Sequence, residues 1–368
     1  MKVLYDGQAF SIQEYGGVSQ YFCQLIKAFA NMEGMSTELV VKYSNNVFLN
    51  ELNVTTRSFF RAYKFKGRNE IIKFLNRIYF KKVFSGKKSE VSLFHPTYYH
   101  PYFLRFIGRI PFVLTVHDMT HEYFPHIFSK FDNTSKHKAQ VALYANRIIA
   151  VSENTKKDII RILNVPEKKI DVIYHGPTLS LNDISSEVFA LPENFILYVG
   201  RRDYYKNFLF LLSAFKDVLS KSRNLNLICA GGGHFKRKEL QEISKLKLQE
   251  SVIQLDIDKS MLAYLYSRAK AFVFPSLYEG FGMPILDAFA CGCPVLLSNK
   301  SSFPEVGGEA AKYFDPEDRL SLVNVLIEVL ENKTLADSMR NRGLERVKFF
   351  SWETAAVKTL ETYKKAVS

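Results

Sequence analysis

Phe274-Pro275-Ser276-Leu277-Tyr278-Glu279-Gly280-Phe281-Gly282-Met283-Pro284-Ile285-Leu286-Asp287 joins an apolar run to a glycine-punctuated turn and then to a helical pattern starting near Met283. A strand that ends in such a turn and feeds a helix is the repeating unit of a parallel sheet covered by helices. The amides around Phe281, Gly282 and Met283 then fall at a helix N-terminus, where unpaired N–H groups and the helix dipole favour an anion such as a phosphate. Glu279 and Asp287, eight residues apart, bracket that turn. Two carboxylates beside a diphosphate repel it, so both suit sugar and ribose hydroxyls better.

The same alternation runs outward in both directions. Short β-branched or apolar runs at 3–5, 38–41, 92–94, 112–116, 148–151 and 170–173 predict one set of strands, with helical periodicity at 18–29, 73–83, 136–145 and 153–163. A second set follows at 196–199, 225–230, 252–255, 271–274 and 295–297, separated by helices such as 208–219 and 261–269. The pattern predicts an α/β protein with two doubly wound, Rossmann-like domains facing each other across a cleft. At 368 residues the chain has room for two cores. The polar stretch 177–192, with Pro at both ends, marks the boundary. The expected domains are 1–180, 181–350 and a terminal helix, 351–368, carrying the single tryptophan, Trp352.

Composition narrows the compartment. No apolar run reaches the roughly 20 residues of a membrane-spanning helix. Met1 leads through Lys2 and Asp6 rather than into a signal-peptide core. Cys23, Cys229, Cys291 and Cys293 lack metal-ligand spacing and read as buried thiols in a reducing compartment. A cytoplasmic protein is expected.

Most of the net charge of +13 comes from one segment: between Arg57 and Lys88, eleven cations face Glu70 alone, a local charge of +10. Arg61, Lys64, Lys66, Arg68, Lys73, Arg77, Lys81 and Lys82 alternate there with Phe59, Phe60, Tyr63, Phe65, Phe74, Ile78 and Tyr79. A basic, aromatic, amphipathic segment suits the anionic inner face of a cell membrane, where cations meet lipid phosphates and rings sit at headgroup depth. An ordinary helix with a solvated basic face is the plain alternative. No recognised nucleic-acid motif accompanies the charge.

Other segments carry anion chemistry. Gly16-Gly17 follows the first strand and precedes the first helix, so backbone can approach an anion there. Arg201 and Lys206, in the turn after 196–199, can oppose a diphosphate, one as a planar fork of donors and the other as a compact charge. Together with Thr115-Val116-His117-Asp118, Val151-Ser152-Glu153-Asn154-Thr155, Ser302-Phe303-Pro304-Glu305-Val306-Gly307-Gly308 and Phe350-Ser351-Trp352, these segments resemble the large retaining glycosyltransferase group called family 4, of GT-B architecture. The resemblance runs through most of the chain, and it is the order and spacing of the motifs that is specific.

The resemblance implies a role for each matched residue. Glu279 matches the first glutamate of the family's E-x7-E pattern, at the donor sugar, while the second position is Asp287, a departure, at the ribose. Arg201 and Lys206 match the diphosphate cations, Gly16-Gly17 the first-domain phosphate loop, and His117 the histidine near the reacting centre. Ile257, at the end of 252–255, falls where the nucleotide base binds, and the terminal helix crosses back to the first domain. The implied enzyme is a metal-independent, retaining glycosyltransferase with no cofactor beyond its nucleotide-diphosphate sugar.

Segments 116–125 and 303–308 look most like mannosyltransferases of bacterial O-antigen and surface-polysaccharide assembly. That implies GDP-mannose or a related GDP-sugar and a lipid-diphosphate-linked saccharide acceptor. Rival readings are a UDP-sugar enzyme of the same family, a nucleotide-sugar 2-epimerase of the same fold, and a basic membrane- or nucleic-acid-binding protein. Two patterns imitate metal sites: Asp256-Ile257-Asp258 spells D-x-D, and His117, His121 and His126 lie near Glu122 without forming HExxH. No nucleophile elbow is present.

Overall fold

The structure, a computed structural model, describes residues 1–58, 65, 67–185, 191–222 and 224–368. The chain divides into two compact units, Met1–His175 with Trp352–Ser368, and Gly176–Ser351. Arg61, Lys64 and Lys66 of the basic segment lie outside the described residues.

The first unit holds β1 (Lys2–Asp6), β2 (Ser36–Val40), β3 (Leu93–His95), β4 (Val113–Val116), β5 (Arg147–Ala150) and β6 (Ile170–Val172). They pair in parallel as β2-β1-β3 and β4-β5-β6. A parallel bridge from Phe94 to Phe112 joins the two groups, and the Phe94 amide donates to the Pro111 carbonyl at 3.0 Å. The order β2-β1-β3-β4-β5-β6 reverses direction between β1 and β3. Val3, Leu4 and Tyr5 of β1 and Leu93 and Phe94 of β3 are fully buried, as helices on both faces of a parallel sheet require.

The second unit holds β7 (Phe195–Val199), β8 (Asn226–Ala230), β9 (Val252–Leu255), β10 (Ala271–Phe274), β11 (Val295–Ser298) and β12 (Ala311–Phe314). Their order is β12-β11-β10-β7-β8-β9, parallel throughout, with the reversal between β7 and β10. This is the dinucleotide-fold strand order, whose ligands bind outside the strand ends at the reversal. The short β12 was not expected from the sequence: it is an edge strand, and its central Lys312 and Tyr313 are only half-buried, so it lacks the apolar run of an inner strand.

Helix Arg68–Lys87 is longer than the 73–83 read from periodicity. Its inner face is Ile72, Asn76, Phe80 and Phe84, spaced one turn apart. The polar Asn76 interrupts that stripe, yet it is fully used: its amide donates to Ser11 Oγ (2.8 Å) and the Tyr43 carbonyl (2.7 Å), and its oxygen accepts from the Lys42 and Tyr43 amides.

Helix Trp352–Val367 closes the first unit through a buried polar chain. Tyr363 Oη lies 2.8 Å from Tyr5 Oη and 2.7 Å from His95 Nδ1, and His95 Nε2 lies 2.9 Å from Thr115 Oγ1, which meets Tyr21 Oη at 3.3 Å. Nearer the surface, Asp171 accepts from Thr362 (3.0 Å) and Lys365 (2.8 Å). Tyr363→Phe strands two buried polar atoms at once and lowers the stability of the first unit by about 1–3 kcal/mol. A urea midpoint for that unit equal to the parent's would show that the buried chain holds the helix no better than apolar packing does.

Candidate functional site

In the second unit, the turns leaving β7 and β10 diverge at the reversal. After β7, Gly200 takes φ +110°, and a 3-10 turn at Tyr204–Lys206 brings Lys206 forward. After β10, the Leu277 amide donates to the Tyr205 carbonyl at 2.8 Å and ties the two turns together. Lys206 Nζ then donates to Glu279 Oε1 at 2.5 Å. Ser276 Oγ donates to the same oxygen at 2.8 Å, and Ser301 and Ser302 donate to the Glu279 carbonyl. Both charged side chains are mostly buried, so each neutralises the other. As an ammonium, Lys206 brings a compact positive charge to this turn.

The glycine turn has the expected form. Gly282 is the N-cap of helix Met283–Ala290 with φ +94°, a left-handed conformation that favours glycine, and a Cβ there would lie 2.9 Å from Ile285 Cδ1. Pro284 occupies the first turn, where its missing N–H costs nothing. Phe281 contributes backbone only: its ring is buried 6.1 Å from that of Phe350.

Arg201 and Arg202, adjacent in sequence, separate completely. The Arg201 side chain is 63% exposed and pairs with Asp203 at 2.9 Å, leaving most of its fork free to turn toward a ligand. Arg202 is buried, pairs with Glu239 at 3.2 Å, and donates to the carbonyls of Gly231 (3.0 Å), Gly233 (2.6 Å) and His234 (3.1 Å). It holds three successive glycines at φ +72°, +73° and +73°. Ile257 packs beside that turn, its Cδ1 3.9 Å from where a Gly231 Cβ would stand. The D-x-D pattern resolves into local roles: Asp258 caps helix Lys259–Arg268 through the Met261 amide (2.8 Å), and Asp256 accepts from Gln254 (3.0 Å).

Asp287, expected at the ribose, is bonded to the start of the unit. Its Oδ1 accepts from the amides of Thr178 (2.6 Å) and Leu179 (3.0 Å), and its Oδ2 from Thr178 Oγ1 (3.0 Å). The short aspartate is buried on its helix and bonds to the start of the unit. Burial pushes its carboxyl up to about 6, and the Thr178 and Leu179 bonds oppose that shift.

In the first unit, Gly16 caps helix Gly17–Phe29 in extended geometry. His117 follows β4, with its amide donating to Tyr99 Oη (3.0 Å) and its ring edge-on to Tyr21 at 5.0 Å. Its Nε2 is buried without a hydrogen-bond partner among the described residues. Nearby Glu122 pairs with the buried Lys138 at 2.7 Å, and His121 stacks on Phe128 at 3.8 Å, so two members of the histidine–glutamate pattern have other partners. Ser152 caps helix Glu153–Leu163, accepting from the Thr155 amide.

On helix Arg68–Lys87, Ile71, Phe74 and Ile78 are exposed, the last two by 59% and 55%, beside the exposed Lys81 and Lys82. Lys73 pairs with Glu70 and Arg77 donates to His100 Nε2. Arg68 is a correction to the outward-facing set: its side chain is largely covered and pairs with Glu14 at 3.0 Å, because it opens the helix against the residue 12–14 loop.

Thr178, Arg202 and Ser301 lie outside the quoted motifs, and Ser276 and Ser302 stand in them with no role assigned. Only the capping-box spacing of Ser180 and Asp183 hints that the segment after Thr178 is ordered.

A glycosyl transferases group 1 model matches residues 181–346, and a glycosyltransferase family 4 model matches residues 15–180. O-antigen chain mannosyltransferase B of Escherichia coli is 31% identical over 268 residues, spanning 68% of this chain and 70% of that protein. The N-acetylgalactosamine-N,N'-diacetylbacillosaminyl-diphospho-undecaprenol 4-alpha-N-acetylgalactosaminyltransferase of Campylobacter jejuni is 29% identical over 210 residues, 56% of each chain. Sucrose-phosphate synthase from Thermosynechococcus elongatus shares the fold, with a TM-score of 0.77 at 21% identity over 99% of this chain and 98% of that one.

Burial holds the pKa values of His117 and His100 down at about 4 and that of His95 at about 3. Each binds its proton more weakly folded than unfolded, so its contribution is complete above about 6.5 and is lost as pH falls toward 4. The unfolding midpoint of the first unit therefore drops between pH 6.5 and 4. His95→Gln reduces that slope in a denaturation series across pH; an unaltered slope would assign it to other groups.

Proposed function

The chain belongs to glycosyltransferase family 4, and from that premise we propose that it transfers mannose, or a related sugar, from a GDP donor to a lipid-diphosphate-linked saccharide in surface-polysaccharide assembly. The observation that carries the donor half is the Lys206–Glu279 pair at the strand-order reversal, beside the Gly282 turn. Lys206, Arg201 and the amides at Met283 bind the diphosphate, and Glu279 accepts from the sugar hydroxyls. His117, neutral at pH 7, meets a substrate hydroxyl through its buried Nε2, and Gly16-Gly17 lets backbone approach a phosphate.

In the proposed step, the bond between the anomeric carbon and the diphosphate oxygen breaks, and the acceptor hydroxyl oxygen bonds to that carbon on the same face. The acceptor's proton passes to the leaving phosphate, so configuration is retained without a covalent nucleophile. Charge grows on the departing diphosphate, and the fixed cations stabilise it there without a metal. The mannosyl choice rests on the relationship to O-antigen chain mannosyltransferase B, and the lipid-linked acceptor on the diphospho-undecaprenol substrate in the name of the Campylobacter jejuni relative.

A thermal-shift panel of GDP, UDP, ADP and their sugars tests the donor, since a ligand that binds the folded state raises its midpoint. GDP and GDP-mannose give the largest shifts; a response confined to UDP compounds would refute the GDP assignment. Lys206→Ala cuts turnover about 100-fold or more with the fold intact. Near-parent turnover would remove Lys206 from the charge assignment.

No helix among the described residues is long and apolar enough to cross a membrane. We propose that the first unit instead lies on the inner face of the cell membrane through helix Arg68–Lys87, with Ile71, Phe74 and Ile78 at headgroup depth and Lys81 and Lys82 on anionic lipid. The double change Lys81→Glu, Lys82→Glu lowers co-sedimentation with phosphatidylglycerol vesicles by about tenfold or more. Undiminished pelleting would rule that face out.

A further inference from the structure

Residues 176–185 are fastened at three points within the second unit. The Thr178 and Leu179 amides and the Thr178 hydroxyl donate to Asp287, in the second turn of helix Met283–Ala290. Five residues on, Asp183 pairs with Lys259 at 2.7 Å, and the Ser185 amide donates to Ser260 Oγ at 2.8 Å. Lys259 and Ser260 are the first two residues of helix Lys259–Arg268. Between these anchors a capping box, Ser180 with Asp183, stiffens the segment. What the sequence presents as a polar connection is therefore a strap between two helices.

The two helices carry different parts of the proposed nucleotide site. One starts just after Ile257, and the other starts at the Gly282 turn. A nucleoside diphosphate with its base at the first and its phosphates at the second spans the distance the strap sets. Of the three anchors, only the one at Asp287 is buried; the Lys259 side chain is 61% exposed and water competes for it. An exposed ion pair holds little, whereas a buried carboxylate taking three hydrogen bonds holds its partners firmly.

We propose that Asp287 is a positioning residue: it anchors the 176–185 strap and thereby sets the spacing of the two helix starts that flank the nucleoside, rather than contacting the ribose. Its effect on nucleotide binding rests on the donor reading above; its hold on the strap does not. Asparagine is the conservative replacement, because its oxygen accepts from both amides and its nitrogen donates to Thr178 Oγ1.

The test compares Asp287→Ala, Asp287→Asn and Thr178→Ala by amide hydrogen exchange and by affinity for GDP and 2′,3′-dideoxy-GDP. In Asp287→Ala, the Thr178 and Leu179 amides exchange about tenfold faster or more. GDP affinity falls about tenfold, while the ratio of GDP to dideoxy-GDP affinity stays within about twofold of the parent's. Asp287→Asn restores both the protection and the affinity, and Thr178→Ala shows an intermediate loss. Should Asp287→Ala fail to fold, Asp287→Asn and Thr178→Ala carry the same comparison. Protected amides in Asp287→Ala, or unchanged protection in Thr178→Ala, would overturn the strap. A collapse of the GDP to dideoxy-GDP ratio in Asp287→Asn would assign Asp287 to the ribose instead. If the parent protein bound none of the nucleotides, the donor reading would fail while exchange alone still decided the strap.

Discussion

The ion pair between Lys206 and Glu279 organises the second unit's candidate site. In a parallel sheet every strand delivers its carboxyl end to one edge, and where strand order reverses, adjacent turns lead away to opposite faces. Lys206 comes from the turn after β7 and Glu279 from the turn after β10, so their bond spans the gap that this divergence leaves. Neither charge could be so deeply covered alone, since an unpaired buried ion costs several kcal/mol. The pair therefore fixes a cation at the strand-order reversal. Three serines keep Glu279 in position: Ser276 binds the carboxylate, and Ser301 and Ser302 bind the backbone.

The surroundings show how polar groups are kept from competing with that pair. Arg202, next to Arg201 in sequence, is committed to the glycine turn after β8 and to Glu239, while Arg201 stays exposed beside Asp203. Asp258 is committed to a helix cap. In the first unit the chain of Tyr5, Tyr363, His95, Thr115 and Tyr21 is fully connected, which turns buried polarity from a penalty into a specification of where helix Trp352–Val367 sits. Tyr21 at the end of that chain contacts His117 edge-on. The position of the candidate histidine is thus linked to a helix more than 200 residues later in the chain.

Much of the fold was legible because its signals are local. Apolar runs, glycine turns and helical periodicity repeat within a few residues, and eleven of the twelve strands among the described residues fall where or close to where those runs occur. The exception, β12, is an edge strand whose half-buried middle leaves no such run. The Gly282 turn was legible for the same reason: a left-handed residue ahead of a helix favours glycine, and the sequence has one there.

Sequence by itself determined the alternating α/β order, the glycine turns at strand ends, the concentration of positive charge between Arg57 and Lys88, and the chemical types available at each turn. Tertiary structure alone decided which of those groups meet. Lys206 and Glu279 are 73 residues apart and Thr178 and Asp287 are 109 apart; their pairing follows from strand order and from side-chain length, neither of which is encoded in local periodicity. Asp287 shows the consequence most plainly, because its position suggests a ligand contact while its burial and short reach give it to Thr178 and Leu179.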